Sequence, residues 1–219
     1  MLSTWIGTYP SGWIENARGF LRALARSRKI EHRAAIDAAQ ALFWQDGYSG
    51  VSTRQIEEKT GLTRFTQQAA YGGKKALFLQ TLDNYLERAV TEFLPRPTAN
   101  VLEALADWFE DQTKPENMPA ATDQGCLLLN TINEFERGDP ETDHRIGKYF
   151  TDLRRCFSDA LETGISLGEV DPNLDVAAKT ELLVGAVLGM NMIIRAGIDS
   201  DAGRAMSASI GAMMREWRA

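Results

Sequence analysis

Cysteine and histidine are scarce in this 219-residue chain, which has only Cys126, Cys156, His32 and His144. Two thiols cannot build a disulfide framework, and these four residues lack the spacing of a zinc cluster. Long apolar runs are also missing. The longest uncharged one, Leu182 to Ile194, is thirteen residues, short of the roughly 20 that cross a bilayer. The first fourteen residues carry no charge, but they include Pro10 and have no basic leader, unlike a secretory signal. With Gly at 18 and Pro at 7, the chain is neither collagenous nor a low-complexity linker. No run of five or more residues alternates apolar with polar, so the period-two signature of strands is absent. These absences set the expectation of a cytoplasmic, all-α protein with no cofactor, no metal and no membrane partner.

What is present is a folded composition, 44% hydrophobic and 25% charged, with an uneven charge. Residues 1–75 carry 11 Lys/Arg against 6 Asp/Glu, a net of +5, whereas 76–219 carry 13 against 24, a net of −11. A basic first third on an acidic remainder is the arrangement of a polyanion-binding unit attached to a body that does not bind polyanions.

The periodicity is helical nearly throughout, and about nine helices are expected. Ile30, Ala34, Ala38 and Leu42 recur every four residues and predict a helix over 30–45 that Gly47 stops. Ser52 with Gln55 forms a capping box for a short helix through about Thr60. Gly61 ends that helix, and Thr63 caps another over about 64–70. After Gly72-Gly73 a long helix is expected over 74–93, closed by the linker Leu94-Pro-Arg-Pro-Thr98. Asn100 with Glu103 reads as a second capping box, opening a helix that Lys114-Pro115 closes. Further helices are expected over about 123–137, 140–167, 172–196 and 200–218. Asp139-Pro140 and Asp171-Pro172 both read as N-caps with proline at the first helical position.

Residues 52–70 therefore form two short capped helices around Gly61, the pattern of a helix-turn-helix. Ile56 is expected to brace the turn from inside. Arg64, Thr66, Gln67 and Gln68 are expected on the outer face, with side chains suited to base edges and phosphates. The helix N-termini near Ser52, Thr63 and Lys74 offer free backbone N–H groups to phosphate.

Residues 28–88 resemble the DNA-binding domain of the TetR family of bacterial transcriptional regulators. The stretches that carry the resemblance are Ile36-Asp-Ala-Ala39, Leu42-Phe43, Gly47-Tyr48, Ser52-Thr-Arg-Gln-Ile56, Gly61-Leu-Thr63 and Tyr71-Gly-Gly-Lys-Lys-Ala-Leu-Phe78. It implies an N-terminal three-helix helix-turn-helix domain over 28–75, preceded by an extension at 1–27 and followed by a helical effector-binding and dimerisation domain over 76–219. It also implies that Ser52, Thr53, Arg54, Thr63, Arg64, Phe65, Thr66, Gln67 and Gln68 approach double-stranded operator DNA, with Lys74 on its backbone. The chain departs from the family pattern at Gln67, where leucine is usual, at Gln68, where a tyrosine contacts phosphate, and at Phe65, where a small residue is common.

The resemblance continues more weakly through Gln124-Gly-Cys-Leu-Leu-Leu-Asn130 and Gly168-Glu-Val-Asp171. It implies a homodimer built on the last two helices and a pocket for an unknown small-molecule effector. Met206, Ile210, Met213 and Trp217 share one apolar seam and are expected to be dimerisation residues, the alternative being that the terminal helix packs within its own domain. Trp108, Phe109, Met118, Asn130, Asn133, Phe150 and Met190 are the candidate pocket residues, with Glu134 a further polar anchor. The expected function is a repressor released from a palindromic operator by its effector.

Other readings carry less. Gly164-Ile-Ser166-Leu-Gly168 fits G-x-S-x-G, but an amphipathic helix rather than a strand runs into the serine, so a hydrolase elbow is rejected. Gly72-Gly73-Lys74-Lys75 lacks the glycine and the hydroxyl of a phosphate loop. Cys126 reads as a structural thiol or as an oxidant sensor, and the second reading needs a lowered pKa that no adjacent Lys or Arg supplies. Arg18, Arg22 and Arg26 make a basic arm, a solvated helix or a disordered leader of the extension. The alternative from another class is a helical carrier or enzyme that does not bind DNA.

Overall fold

The computed structural model describes the backbone of residues 11–114, 124–135, 138–197 and 200–219, and within these ranges the side chains from residue 31 onward, except 92, 93 and 200. Among the described residues there are nine α-helices and no strand. In chain order they are α1 (Ser11–Gly50), α2 (Thr53–Thr60), α3 (Arg64–Tyr71), α4 (Lys74–Arg88), α5 (Val101–Asp111), α6 (Leu127–Glu134), α7 (Pro140–Ser166), α8 (Val176–Ala196) and α9 (Ser200–Arg215). α4 continues into a wider π turn, Ala89–Phe93, before the Pro95/Pro97 linker.

The first helix starts at Ser11, well ahead of the expected Ile30, so part of the basic extension has helical backbone. The expected stop at Gly47 is a break inside α1: its φ of 72° and ψ of 167° are non-helical, values that favour glycine.

Local capping behaves as the sequence predicts around α2, α3 and α7. Ser52 and Gln55 form the full capping box of α2. The Thr63 hydroxyl accepts from the Thr66 N–H, and the Asp139 carboxylate accepts from the Thr142 N–H. Gly61 terminates α2 at φ 73° in the left-handed region, where a Cβ is penalised.

Two expected caps are not made. Asn100 forms no side-chain cap, and its backbone is left-handed. The start of α5 is instead held by Glu169 from the α7–α8 turn, which accepts from the N–H groups of Asn100 (2.9 Å) and Val101 (2.7 Å). Glu103 is drawn away to pair with Arg215 and Arg218. Likewise α8 begins at Val176 rather than at Pro172, with Asp175 capping it by accepting from the Ala178 N–H. Asp171 instead accepts from the Asn173 N–H in the preceding turn.

One core runs through the molecule. Phe43, Ile56, Leu77, Phe78 and Leu82 fill its N-terminal end, and Leu105, Phe109, Leu128, Leu153, Phe157 and Leu161 fill the body. By length and composition α8 is apolar enough to cross a membrane. Much of that apolarity is used within the fold, where Leu183, Val184, Val187 and Met190 are buried and Glu181 pairs with Arg154 of α7.

The terminal seam resolves mainly toward the interior. Ile210 and Trp217 are buried within the chain, Met214 fills the gap between them, and Met206 and Met213 are half-buried. This places Ile210 and Trp217 in the chain's own core rather than on a face open to a second copy, and α9 packs on α5. The Trp217 carbonyl accepts from the Asp171 N–H at 2.9 Å, and Lys179 lies 5.0 Å over the indole ring. The exposed residues of α9 are the small Ala205, Ala208, Ser209 and Ala212 together with the charged Asp201, Arg204 and Arg215. In the G-x-S-x-G stretch, Gly164 is helical and Ser166 ends α7, its hydroxyl donating to the Thr163 carbonyl.

Candidate nucleic-acid interface

α2 and α3 form the helix-turn-helix expected over 52–70, and α3 has two distinct faces. Its inner face carries Gln67 and Tyr71, both buried. The position of Gln67 corrects the sequence reading, which put this side chain outside. Its amide Nε2 donates to the Thr53 carbonyl (2.9 Å) and to the Leu62 carbonyl (2.8 Å), tying the start of α2 and the turn to α3. Gln67 is 1% exposed, and its Oε1 is buried with no hydrogen-bond partner. A side chain so placed sets the angle between the two helices and is not available to a base. Tyr71 stacks on the ring of His32 at 5.0 Å, bracing α3 against α1.

The outer face carries Arg64, Phe65, Gln68 and Ala69, all exposed. Phe65 is 81% exposed. Thr63 and Thr66 share a hydroxyl–hydroxyl hydrogen bond of 3.0 Å, so part of their capacity is committed to capping the helix. On α2, Ser52 is committed to the capping box and Thr53 is half-buried. Arg54 is exposed and pairs with Glu58 at 2.9 Å, which raises the Arg54 pKa. Lys74 does not extend freely into solvent. It is half-buried with its ammonium 4.3 Å over the Tyr48 ring, where burial lowers its pKa and Glu134 partly opposes the shift.

The helix-turn-helix is fastened to the body at a junction that the sequence reading missed. Glu134, at the end of α6, accepts from the Tyr48 N–H at 2.7 Å and from the Ser49 N–H at 3.4 Å. These are N–H groups just beyond the break at Gly47, where a Cβ would collide with the same carboxylate. The polar-anchor reading of Glu134 therefore gives way to a structural one: it caps the end of α1. Next to it, Phe135 stacks on Phe78 (5.4 Å, interplanar 4°) and lies 5.0 Å from Tyr48. At the other end of α6, the Trp44 indole N–H donates to the Gly125 carbonyl at 2.9 Å. Lys75 pairs with Asp139 at the start of α7, and Arg145 pairs with Asp83 at 2.6 Å. The Glu-to-glycine-turn contact joins residues 86 apart in sequence, and no local pattern signals it.

Among the described residues, the candidate pocket residues have different surroundings. Phe109 and Met190 are fully buried in the core. Trp108 packs edge-on against Phe109 and Phe157. Asn130 donates to the Gln124 carbonyl, Asn133 is exposed, and Phe150 lies beneath Arg154. Met118 lies outside the described residues. A cleft of about 480 Å³ opens elsewhere, between the π turn, the 94–98 linker and α7. Val90, Leu94, Arg96, Arg155, Cys156 and Thr163 are among its walls. Cys156 donates to the Pro95 carbonyl at 3.0 Å, and burial pushes its pKa up to about 12. It is a closed thiol rather than a nucleophile at neutral pH. Cys126 is buried between the Tyr85 and Tyr149 hydroxyls, at 3.2 and 3.6 Å, in agreement with a structural role.

Comparisons with known proteins agree with this architecture. A model described as bacterial regulatory proteins, tetR family, matches residues 35–81. A second, described as tetracyclin repressor-like, C-terminal domain, matches residues 99–210. The chain is 26% identical over 182 residues to the HTH-type transcriptional repressor ComR of Escherichia coli (strain K12), spanning 80% of this chain and 85% of that protein. Among solved structures, a TetR transcriptional regulator from Chloroflexus aurantiacus superposes with a TM-score of 0.75 at 21% identity, over 88% of this chain and 98% of that one. A CifR cysteine mutant, itself complexed with 26-bp double-strand operator DNA, superposes with a TM-score of 0.70 at 18% identity, over 84% and 95%.

Proposed function

Because the chain belongs to the TetR family of bacterial regulatory proteins and is a DNA-binding transcriptional regulator, we propose that it acts in the cytoplasm as a homodimeric repressor of a pseudo-palindromic operator, released by a small molecule. The observation that carries this reading is the division of labour on α3. Gln67 and Tyr71 hold the helix from inside, which leaves Arg64, Phe65 and Gln68 with no structural duty on the outside. On this reading Arg64 meets phosphate or guanine, Gln68 meets an adenine edge or phosphate, and Arg54 and Lys74 contribute charge near the backbone. Thr53, Thr63 and Thr66 stand within reach of the backbone, and residues 28–75 act as the reading domain of a body formed by 76–219.

The dimer supplies two such helices to successive major grooves, about 34–36 Å apart. Support for the mating face comes from exposed residues of α8, Leu182, Gly185 and Met192, beside the small exposed residues of α9. Small side chains let two helices from each protomer approach closely, and Leu182 and Met192 are large apolar groups left in water by a single chain.

The effector reading is supported by the cleft at the π turn. Its volume is in the range of small-molecule sites, and it touches the end of α4, whose other end opens the reading domain. A ligand there acts by binding two α4 positions unequally; with equal affinity it would shift nothing. The test is a gel shift of the promoter region upstream of the protein's own gene. Retardation at low salt, with affinity falling steeply as salt rises, supports the reading. A chain that retards no duplex at low salt overturns it.

A further inference from the structure

We propose that Phe65 is a specificity residue that reads thymine, its ring packing against the C5-methyl group at one step of each operator half-site. This rests on the DNA-binding function proposed above and deepens it. Among the described residues, Phe65 is the most exposed large hydrophobic side chain at 81%; the next, Met192 and Leu167, stand at 51% and 50%. It is the second residue of α3, in the first turn after the Thr63 cap. The N-terminal residues of a recognition helix are those that reach base edges in the major groove. A phenyl ring held in water at that position contributes little to the fold.

The chemistry of the groove narrows what the ring can recognise. Guanine, adenine and cytosine present hydrogen-bond donors and acceptors to the major groove, and phenylalanine matches none of them. The thymine methyl is the apolar feature of that code. The surroundings support the same choice. Ala69 lies four residues on, exposed, so it falls on the same strip of the helix as Phe65. Arg64 and Gln68, also four apart and exposed, form a polar strip alongside. α3 therefore presents an apolar rail and a polar rail side by side. Their combination specifies a thymine next to a base pair that offers hydrogen-bond acceptors.

The test starts from the full-length chain and a duplex site selected from random sequence. Each thymine is then replaced by uracil, which deletes only the methyl group. Wild type is expected to lose about fourfold in affinity at one thymine per half-site, the value of one buried methyl group, and about fifteenfold when both half-sites are changed. Phe65→Ala is expected to bind the thymine and uracil sites equally, with an unchanged salt dependence and an unchanged melting temperature. Placing 5-methylcytosine·guanine at the same step should bind wild type about fourfold tighter than cytosine·guanine, and the variant should not distinguish them. Uracil indifference in wild type, or the same uracil penalty in Phe65→Ala, overturns the assignment while leaving DNA binding intact. Failure of wild type to select or retard any duplex removes both readings together.

Discussion

The reading unit and the junction behind it are built by different physics. α2 and α3 are eight residues each, too short to be stable alone. They are shaped by neighbours a few residues apart: the Ser52–Gln55 box, the left-handed Gly61 and the Thr63 cap. The junction among α1, α4 and α6 is assembled from residues far apart in sequence, with Phe43, Tyr48 and Phe135 each in ring contact with Phe78 and Glu134 over the end of α1. The difference teaches that the outer face of α3 is free to change its chemistry, whereas the direction in which that face points is fixed at the junction. Substitutions at the two places should therefore differ in kind.

Breaking the junction has the largest expected effect. Phe78 is fully buried and touches three other rings, so Phe78→Ala should cost about 3–5 kcal/mol in urea unfolding. Operator affinity should fall with it. A loss under about 1 kcal/mol would mean that the ring stack does not hold the two regions together. Gln67→Ala probes the boundary between them. It removes both amide donations to the Thr53 and Leu62 carbonyls and should cost about 1–3 kcal/mol, because two hydrogen bonds of about 0.5–1.5 kcal/mol each are lost. If Gln67 were instead a base contact, stability would hold and only DNA affinity would drop.

The same contrast explains what was legible in the sequence. Caps at Ser52, Thr63 and Asp139 are decided within three or four residues, so they could be read directly. The inward turn of Gln67 could not, because a glutamine on a short helix reads as polar until the two carbonyls it satisfies are seen. Asn100 failed for a related reason: Glu169, 69 residues away, supplies the acceptor for the α5 N-terminus. Ile210 and Trp217 lie on an apolar seam that the sequence assigns to a second copy and the structure buries within the chain, because periodicity gives a stripe without saying what covers it. The cleft at the π turn depends on how the Pro95/Pro97 linker lies against α7, which no motif records. The helix-turn-helix was thus read nearly whole, and the candidate pocket hardly at all.

On the reading face itself the effect should fall on binding alone. Arg64 is exposed, and among the described residues no ion pair is seen for it. Arg64→Ala should leave stability within about 0.5 kcal/mol of wild type. Its operator affinity should fall, and the slope of log K against log salt should flatten by about one for each phosphate that Arg64 neutralises in the wild type. An unchanged slope with weaker binding would point instead to a base contact.

The smallest effect belongs to a charge at the back of the junction. Asp139 caps α7 and accepts from Lys75. The Lys75 hydrogen bond first, then the Thr142 N–H, hold its carboxyl below the ordinary value of 3.8. Because the folded-state value is depressed, the stabilisation is fully present above the unfolded-state value and is lost as pH falls through the folded one. Asp139→Asn keeps a side chain that can cap the helix and removes the charge. The stability gap between wild type and this variant, measured by urea midpoint, should be widest near neutral pH and should narrow as pH drops below about 4. A gap that stays constant down to about pH 2.5 would assign the whole effect to helix capping and none to the ion pair with Lys75.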